Sequence, residues 1–150
     1  MTRPYRILLV CTGNTCRSPM AEGLLRKLMR ERGIQGEVSS AGLFTVDGLP
    51  ASFYAIEVMK EWGIDLSGHR SRQLTHTLVK RADHVVGMTA EHVASLLAQY
   101  PEELSRIRTL ELPDIPDPYG KPLETYREVR DLLRDWGHCL LDSLFDCIAG

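Results

Sequence analysis

Apolar and polar positions follow two rhythms along this chain. Tyr5 to Cys11 holds the unbroken apolar run Ile7-Leu8-Leu9-Val10, as expected of a strand buried on both faces. The next segment has helical spacing, with Ala21, Leu24, Leu25, Leu28 and Met29 on one face. Ser18 is placed to cap that helix, Pro19 to occupy its first position, where a missing N–H costs nothing, and Gly33 to end it. The alternation then repeats. Glu37 to Ala41 reads as a short strand. Ala51 to Trp62 reads as a helix with Ala55, Val58, Met59 and Trp62 inward and Gly63 at its end. Thr75 to Arg81 is a short helix and His84 to Met88 a third strand. Thr89 opens a helix that buries Val93, Leu96 and Leu97 and stops near Pro101, and Ile107 to Leu110 reads as a fourth strand. Pro113, Pro116, Pro118, Gly120 and Pro122 punctuate one loop. Tyr126, Val129, Leu133, Trp136, Leu140 and Leu144 then recur along a long amphipathic helix, where they read as core packing.

Strand–helix alternation predicts an α/β fold, with a parallel twisted sheet, helices on both faces and right-handed crossovers. Such sheets bind ligands beyond the carboxyl ends of their strands. Two segments with unusual chemistry fall there: Cys11 to Ser18 after the first strand, and Asp114 to Tyr119 after the last. A length of 150 residues fits one domain spanning 1–150. The apolar content of 43% and charged content of 25% are those of an ordinary soluble protein. A net charge of −2 without a basic stripe argues against nucleic acid and anionic membrane as partners. The apolar run that follows Arg3 and Arg6 is too short for a signal-peptide core or a membrane span. The expected location is therefore the cytoplasm, where thiols stay reduced. Cys11, Cys16, Cys139 and Cys147 are then not a structural disulfide set, and they lack the paired spacing of a zinc site. No cofactor is expected, and His76, His84, His92 and His138 show no ligand spacing and receive no role.

The segment Cys11-Thr12-Gly13-Asn14-Thr15-Cys16-Arg17-Ser18-Pro19 joins a strand to a helix N-terminus. Unpaired N–H groups and a positive helix dipole make that junction a phosphate site. Gly13 and Asn14 tolerate the left-handed backbone angles of a loop curled round an anion. Arg17 offers a planar fork for two phosphate oxygens. Cys11 at the base of the loop is surrounded by the same donors, which favour its thiolate. A thiolate beneath a cradled phosphoryl group is a nucleophile aimed at phosphorus. Taken singly, the cysteine reads equally as a small buried hydrophobe and the arginine as a solvated side chain. The phosphate-binding and dinucleotide-binding glycine motifs G-x4-G-K-[ST] and G-x-G-x-x-G are both absent.

Cys11 to Glu22, CTGNTCRSPMAE, resembles the signature of the low-molecular-weight protein phosphatases, a family with tyrosine phosphatases and bacterial protein arginine phosphatases. Ser40-Ala41-Gly42, Gly63-Ile64-Asp65 through His69-Arg70-Ser71-Arg72-Gln73, and Asp117-Pro118-Tyr119 match in order, so the resemblance covers essentially the whole chain. It implies a four-stranded parallel sheet flanked by helices, with the phosphate-binding loop between first strand and first helix and no metal. It implies Cys11, Arg17 and Asp117 as catalytic residues, with Thr12, Gly13, Asn14, Thr15, Cys16 and Ser18 lining the phosphate site. Ser40 and His69 would brace Asn14, Ser18 would donate to the nucleophile's sulfur, and Tyr119 would form an aromatic wall. The substrates would be phosphorylated proteins, and a monomer is expected. On local evidence Asp-Pro-Tyr reads as a turn; its place at a strand end and the family match make Asp117 the proton donor, with Asp114 as competitor.

Three other activities on this scaffold compete with arginine phosphatase. Arsenate reduction needs further cysteines near the third strand, where Ala82 to Thr89 holds none. An anion-binding module would not require both Cys11 and Asp117. Between tyrosine and arginine phosphatase the rim residue speaks. Tyrosine-specific members mostly carry a bulky apolar residue before the loop's second cysteine, whereas Thr15 is the residue of the arginine-specific members. Gly120 and Thr89 also depart from the animal tyrosine phosphatases. Phosphoarginine is the favoured substrate, phosphotyrosine the alternative. A disulfide between Cys11 and Cys16 under mild oxidation is a further expectation, beside a plain packing role for Cys16.

Overall fold

The structure, a computed structural model, describes residues 5–145. Strand β1 (Tyr5–Cys11) is the centre of a parallel sheet in the order β2-β1-β3, with β2 at Gly36–Gly42 and β3 at His84–Gly87. The register pairs Cys11 with Gly42 and Val10 with Gly87, so the three strand ends lie side by side. Residues 7–11 of β1 are all buried because side chains on both faces meet helices. Ile7 and Leu9 pack with α1 (Arg17–Glu31), α2 (Phe53–Lys60) and α5 (Leu123–Phe145). Leu8 and Val10 pack with α3 (His76–Arg81) and α4 (Ala90–Gln99). Each such side chain contributes about 1.5–3 kcal/mol over an exposed one, which anchors the strand preceding Cys11 in the core.

The fourth strand expected at 107–110 is reduced to one parallel bridge, Val85 with Ile107. Val85 N–H donates to the Arg106 carbonyl and Arg108 N–H to the Val85 carbonyl, after which the chain leaves the ladder. It is drawn over the strand ends instead, where Ile115 N–H donates to the Met88 carbonyl, and the prolines of this stretch could supply no ladder N–H. Among the described residues the sheet therefore has three strands. The helix expected from Ser18 begins at Arg17 with Cys16 in the cap position, and Ser18 lies within its first turn. The helices at 51–62 and 89–101 are shorter than their apolar spacing implies, and a short 3-10 turn at Pro101–Glu103 was not foreseen. Cys11, Cys16 and Cys139 are free thiols, while Cys147 lies outside the described residues. No helix among the described residues is long and apolar enough to cross a membrane.

Candidate active site

The loop from the end of β1 into α1 curls around its own cysteine. Asn14 takes φ 58°, the left-handed turn that brings its N–H to 3.2 Å from Cys11 Sγ. Ser18 Oγ stands 2.8 Å from the same sulfur. Gly13 does not adopt a left-handed angle, contrary to expectation, and a Cβ there would meet only Thr15 Oγ1 at 3.8 Å. Neither backbone strain nor crowding by the protein requires glycine at 13; its missing side chain instead leaves room in the cavity that it lines.

Asn14 is held from four sides. Its Nδ2 donates to Ser18 Oγ at 2.8 Å and to Ser40 Oγ at 2.9 Å, and its Oδ1 accepts Arg72 N–H at 2.9 Å. His69 Nε2 meets the Asn14 carbonyl at 2.8 Å. Ser40 Oγ in turn donates to Glu22 Oε1 at 2.6 Å. A continuous hydrogen-bonded chain thus runs from Glu22 through Ser40, Asn14 and Ser18 to the sulfur. Ser40 is carried there by the register of β2 against β1, which a sequence pattern alone does not reveal. Gly42 completes the seat: a Cβ there would lie 2.7 Å from the Thr12 carbonyl, so only glycine admits the loop backbone. Arg72, Glu22 and Gly42 were missed as site residues, although each lies in a segment that carries the family resemblance: Cys11 to Glu22, Ser40 to Gly42 and His69 to Gln73.

Across the sulfur stands the proline-rich stretch after Ile107. Arg17 is buried, and its Nη1 donates to the Ile115 carbonyl at 3.0 Å. Its Nη2 lies 3.6 Å from Asp117 Oδ2, a loose ion pair with one partner buried and the other half exposed. Asp117 Oδ1 accepts Tyr119 N–H at 3.1 Å, so the Asp-Pro-Tyr turn aims the carboxylate at the loop. Asp114 is otherwise occupied, accepting Ala90 N–H at 2.8 Å at the start of α4. A cavity of about 220 Å³ is lined by residues 11–17 together with Asp117 and Tyr119. Ser18, Ser40 and His69 lie behind it as supports.

Cys16 faces the core, with Sγ 3.3 Å from Ser52 Oγ and 3.5 Å from the Tyr126 hydroxyl. Burial, then the bond to Cys16, raises the Tyr126 pKa to about 12. His92 is a site neighbour that no spacing revealed: from α4 its Nε2 reaches Thr12 Oγ1 at 3.0 Å. A larger concavity of about 670 Å³, lined by residues of β1, β2 and α3 together with Arg26 and Arg72, contains no cysteine. Among the described residues no group of three or more His, Cys, Asp or Glu side chains could hold a metal ion.

A buried sulfur contacted by a hydroxyl and a backbone N–H at a helix N-terminus, facing a carboxylate across a small cavity, defines the class of a cysteine-centred anion site. Residues 6–146 match the family described as low molecular weight phosphotyrosine protein phosphatase, and the chain belongs to that family of protein phosphatases. The chain is 45% identical over 137 residues to a protein-arginine-phosphatase of Geobacillus stearothermophilus, covering 87% of this chain and 89% of the relative. It superimposes with a TM-score of 0.86 on a low molecular weight protein tyrosine phosphatase from T. tengcongensis, at 44% identity and with 93% and 99% of the two chains covered. An arginine phosphatase in which serine replaces cysteine and the active-site serine is phosphorylated gives a TM-score of 0.86 at 34% identity, covering 93% and 95%.

Proposed function

We propose that this protein is a cytoplasmic, monomeric, metal-free protein-arginine phosphatase of one domain that works through a phosphocysteine on Cys11. The observation that carries the substrate choice is Thr15 on the cavity wall, a hydroxyl-bearing side chain. A guanidinium edged with N–H donors finds an acceptor there, whereas an aliphatic branch would leave those donors unpaired at a cost of about 1–3 kcal/mol per group. The phosphotyrosine reading rests on Tyr119, 72% exposed beside the cavity, a ring on which an aryl group can pack. Similarity alone does not separate the two, since the arginine and tyrosine phosphatases above stand at 45% and 44% identity.

In this reading the phosphoryl group sits over the 12–17 backbone, with Arg17 on its oxygens. Donors at 2.8 and 3.2 Å hold negative charge on Sγ, which attacks phosphorus in line. The P–N bond breaks, its electron pair goes to the guanidine nitrogen, and Asp117 delivers the proton. Asp117, now a carboxylate, takes a proton from water as that water attacks the phosphocysteine. Phosphate leaves and the thiolate returns. The fixed loop and the Arg17 guanidinium, which the Ile115 carbonyl keeps oriented, stabilise the equatorial oxygens.

Thr15→Ile tests the substrate choice. Its kcat/KM on a phosphoarginine peptide should fall by roughly tenfold to a hundredfold, with activity on the matched phosphotyrosine peptide kept or raised. Equal losses on both peptides, or a wild type that prefers phosphotyrosine, would return the protein to the tyrosine phosphatases.

A further inference from the structure

His92 is buried on α4, and its environment is specific. Thr89 Oγ1 accepts its backbone N–H at 3.1 Å, Asp114 Oδ1 accepts the backbone N–H of Ala90 at 2.8 Å, and both fix the first turn of the helix. Gly87 lets that turn settle on β3, since a Cβ there would lie 3.0 Å from His92 Cβ. The ring then has one polar contact, Nε2 with Thr12 Oγ1 at 3.0 Å, and its Nδ1 is buried without a partner.

That orphaned nitrogen decides the proton's place. Burial, then the positive charge of Arg17, lowers the His92 pKa to about 4 against the opposing pull of Asp114 and Asp117, so the ring is neutral at neutral pH and carries one N–H. Were that hydrogen on Nδ1, a buried N–H would face no acceptor, which native interiors rarely allow. On Nε2 it donates to Thr12 Oγ1, and only a bare lone pair is left behind. Thr12 lines the cavity with Cys11 and Asp117, and with its oxygen already accepting, its hydroxyl proton is free to point outward.

We propose that His92 is a positioning residue that holds the Thr12 hydroxyl as a hydrogen-bond donor to a phosphoryl oxygen in the cavity. Backbone bonds already fix residues 11 and 12, whose carbonyls accept Leu43 N–H and Phe44 N–H at 2.9 Å each. The Thr12 hydroxyl hydrogen can otherwise point in several staggered directions, and His92 removes that choice before substrate arrives. The inference rests on the phosphatase function but on neither choice of substrate.

The test is a double-mutant cycle on the full chain, measuring kcat and KM with an aryl phosphate and a phosphoarginine peptide. His92→Phe and Thr12→Val should each lower kcat/KM by about tenfold on any substrate that the wild type turns over. The double variant should be no worse than either single one, and His92→Gln, whose amide can reach the same oxygen, should recover most of the loss. Losses that multiply in the double variant, or a glutamine no better than phenylalanine, would overturn the proposal. If His92→Phe does not fold, Thr12→Val decides alone, and wild-type kcat/KM in that variant overturns it. A wild type inactive on both substrates would refute the phosphatase function itself, which keeps the two failures apart.

Discussion

Both side-chain polar atoms of Asn14 are engaged, by Ser18, Ser40 and the backbone of Arg72, whereas Asp117, across the same cavity, stands 52% exposed with one turn bond and a loose pair to Arg17. The loop that carries Cys11 is anchored in the sheet, in α1 and in the segment 69–72. The stretch that carries Asp117 is tied mainly through Ile115 and Asp114, before the carboxylate is reached. The phosphoryl group is the same in every substrate and can be met by a rigid mould. The leaving group differs between a guanidine and a phenol, and the proton donor that meets it sits on the more adaptable side.

The largest expected effect tests the rigid half. Cys11→Ser should cut steady-state turnover by on the order of 10⁴-fold or more, because the loop does not ionise a serine hydroxyl. In a related arginine phosphatase the serine that replaces the cysteine is itself phosphorylated. Intact-mass measurement of Cys11→Ser after incubation with substrate should then show one added phosphoryl group on a protein that no longer turns over. Near-normal turnover by that variant would sink the covalent mechanism.

The adaptable half should matter less and more selectively. Asp117→Asn should slow turnover by roughly 10²–10³-fold for substrates with basic leaving groups. An activated aryl phosphate, which departs without a proton, should suffer less in a burst-phase measurement. Asp114→Asn keeps an oxygen to accept the Ala90 N–H and removes only the negative charge at the start of α4, costing about 0.3–1 kcal/mol of stability. A larger catalytic loss from Asp114→Asn than from Asp117→Asn across substrates would reverse the assignment.

Much of this contrast was legible in the chain and some was not. Cys11, Asn14 and Arg17 fall within seven residues, so one segment between an apolar run and a helical pattern displayed the loop itself. Asp117 could be singled out, but only the bond from Ala90 to Asp114 removed its competitor from the cavity. Ser40 and His69 entered through resemblance, and the geometry places them on Asn14. His92 could not be found, because its contact with Thr12 arises from β1 and β3 ending side by side, and no local period encodes that. The fourth strand misled for a related reason. Residues 107–110 have strand-like composition, but the chain is needed over the strand ends, where the Ile115 carbonyl holds Arg17.

Asn14 sharpens the comparison at the next scale. Asn14→Gly keeps the left-handed backbone at φ 58° but removes the side-chain bonds that link Ser18, Ser40 and Arg72. Its kcat/KM should fall by about tenfold, the scale of a lost, partly buried hydrogen-bond network. Asn14→Ala loses the same bonds and adds left-handed strain of about 1–2 kcal/mol. Its unfolding free energy in urea should therefore lie below that of the glycine variant by about that amount. Equal stability of the two variants would mean that the backbone at 14 is not constrained and that the mould is softer than its bonds imply.

The subtlest effect is a slope against pH, and it reports on the contact that joins α4 to the loop. Unfolded, a histidine titrates near 6.5, whereas folded His92 titrates at about 4, through burial first and the Arg17 charge second. Between those values the unfolded chain binds a proton that the folded chain does not, so this group removes stability as the pH falls through that window. From pH 7 to pH 5 the loss should be about 2 kcal/mol. His92→Gln removes the titration while leaving Asp114, Asp117 and Arg17 in place. Urea unfolding of both proteins at pH 7, 6 and 5 should show the wild type falling more steeply, with the gap between the two curves changing by about 2 kcal/mol. Subtracting one curve from the other cancels the remaining carboxylates, which titrate alike in both. Parallel curves would mean that the His92 ring takes up a proton in the folded protein, and a ring that does so is too wet to hold Thr12 as a neutral, buried donor.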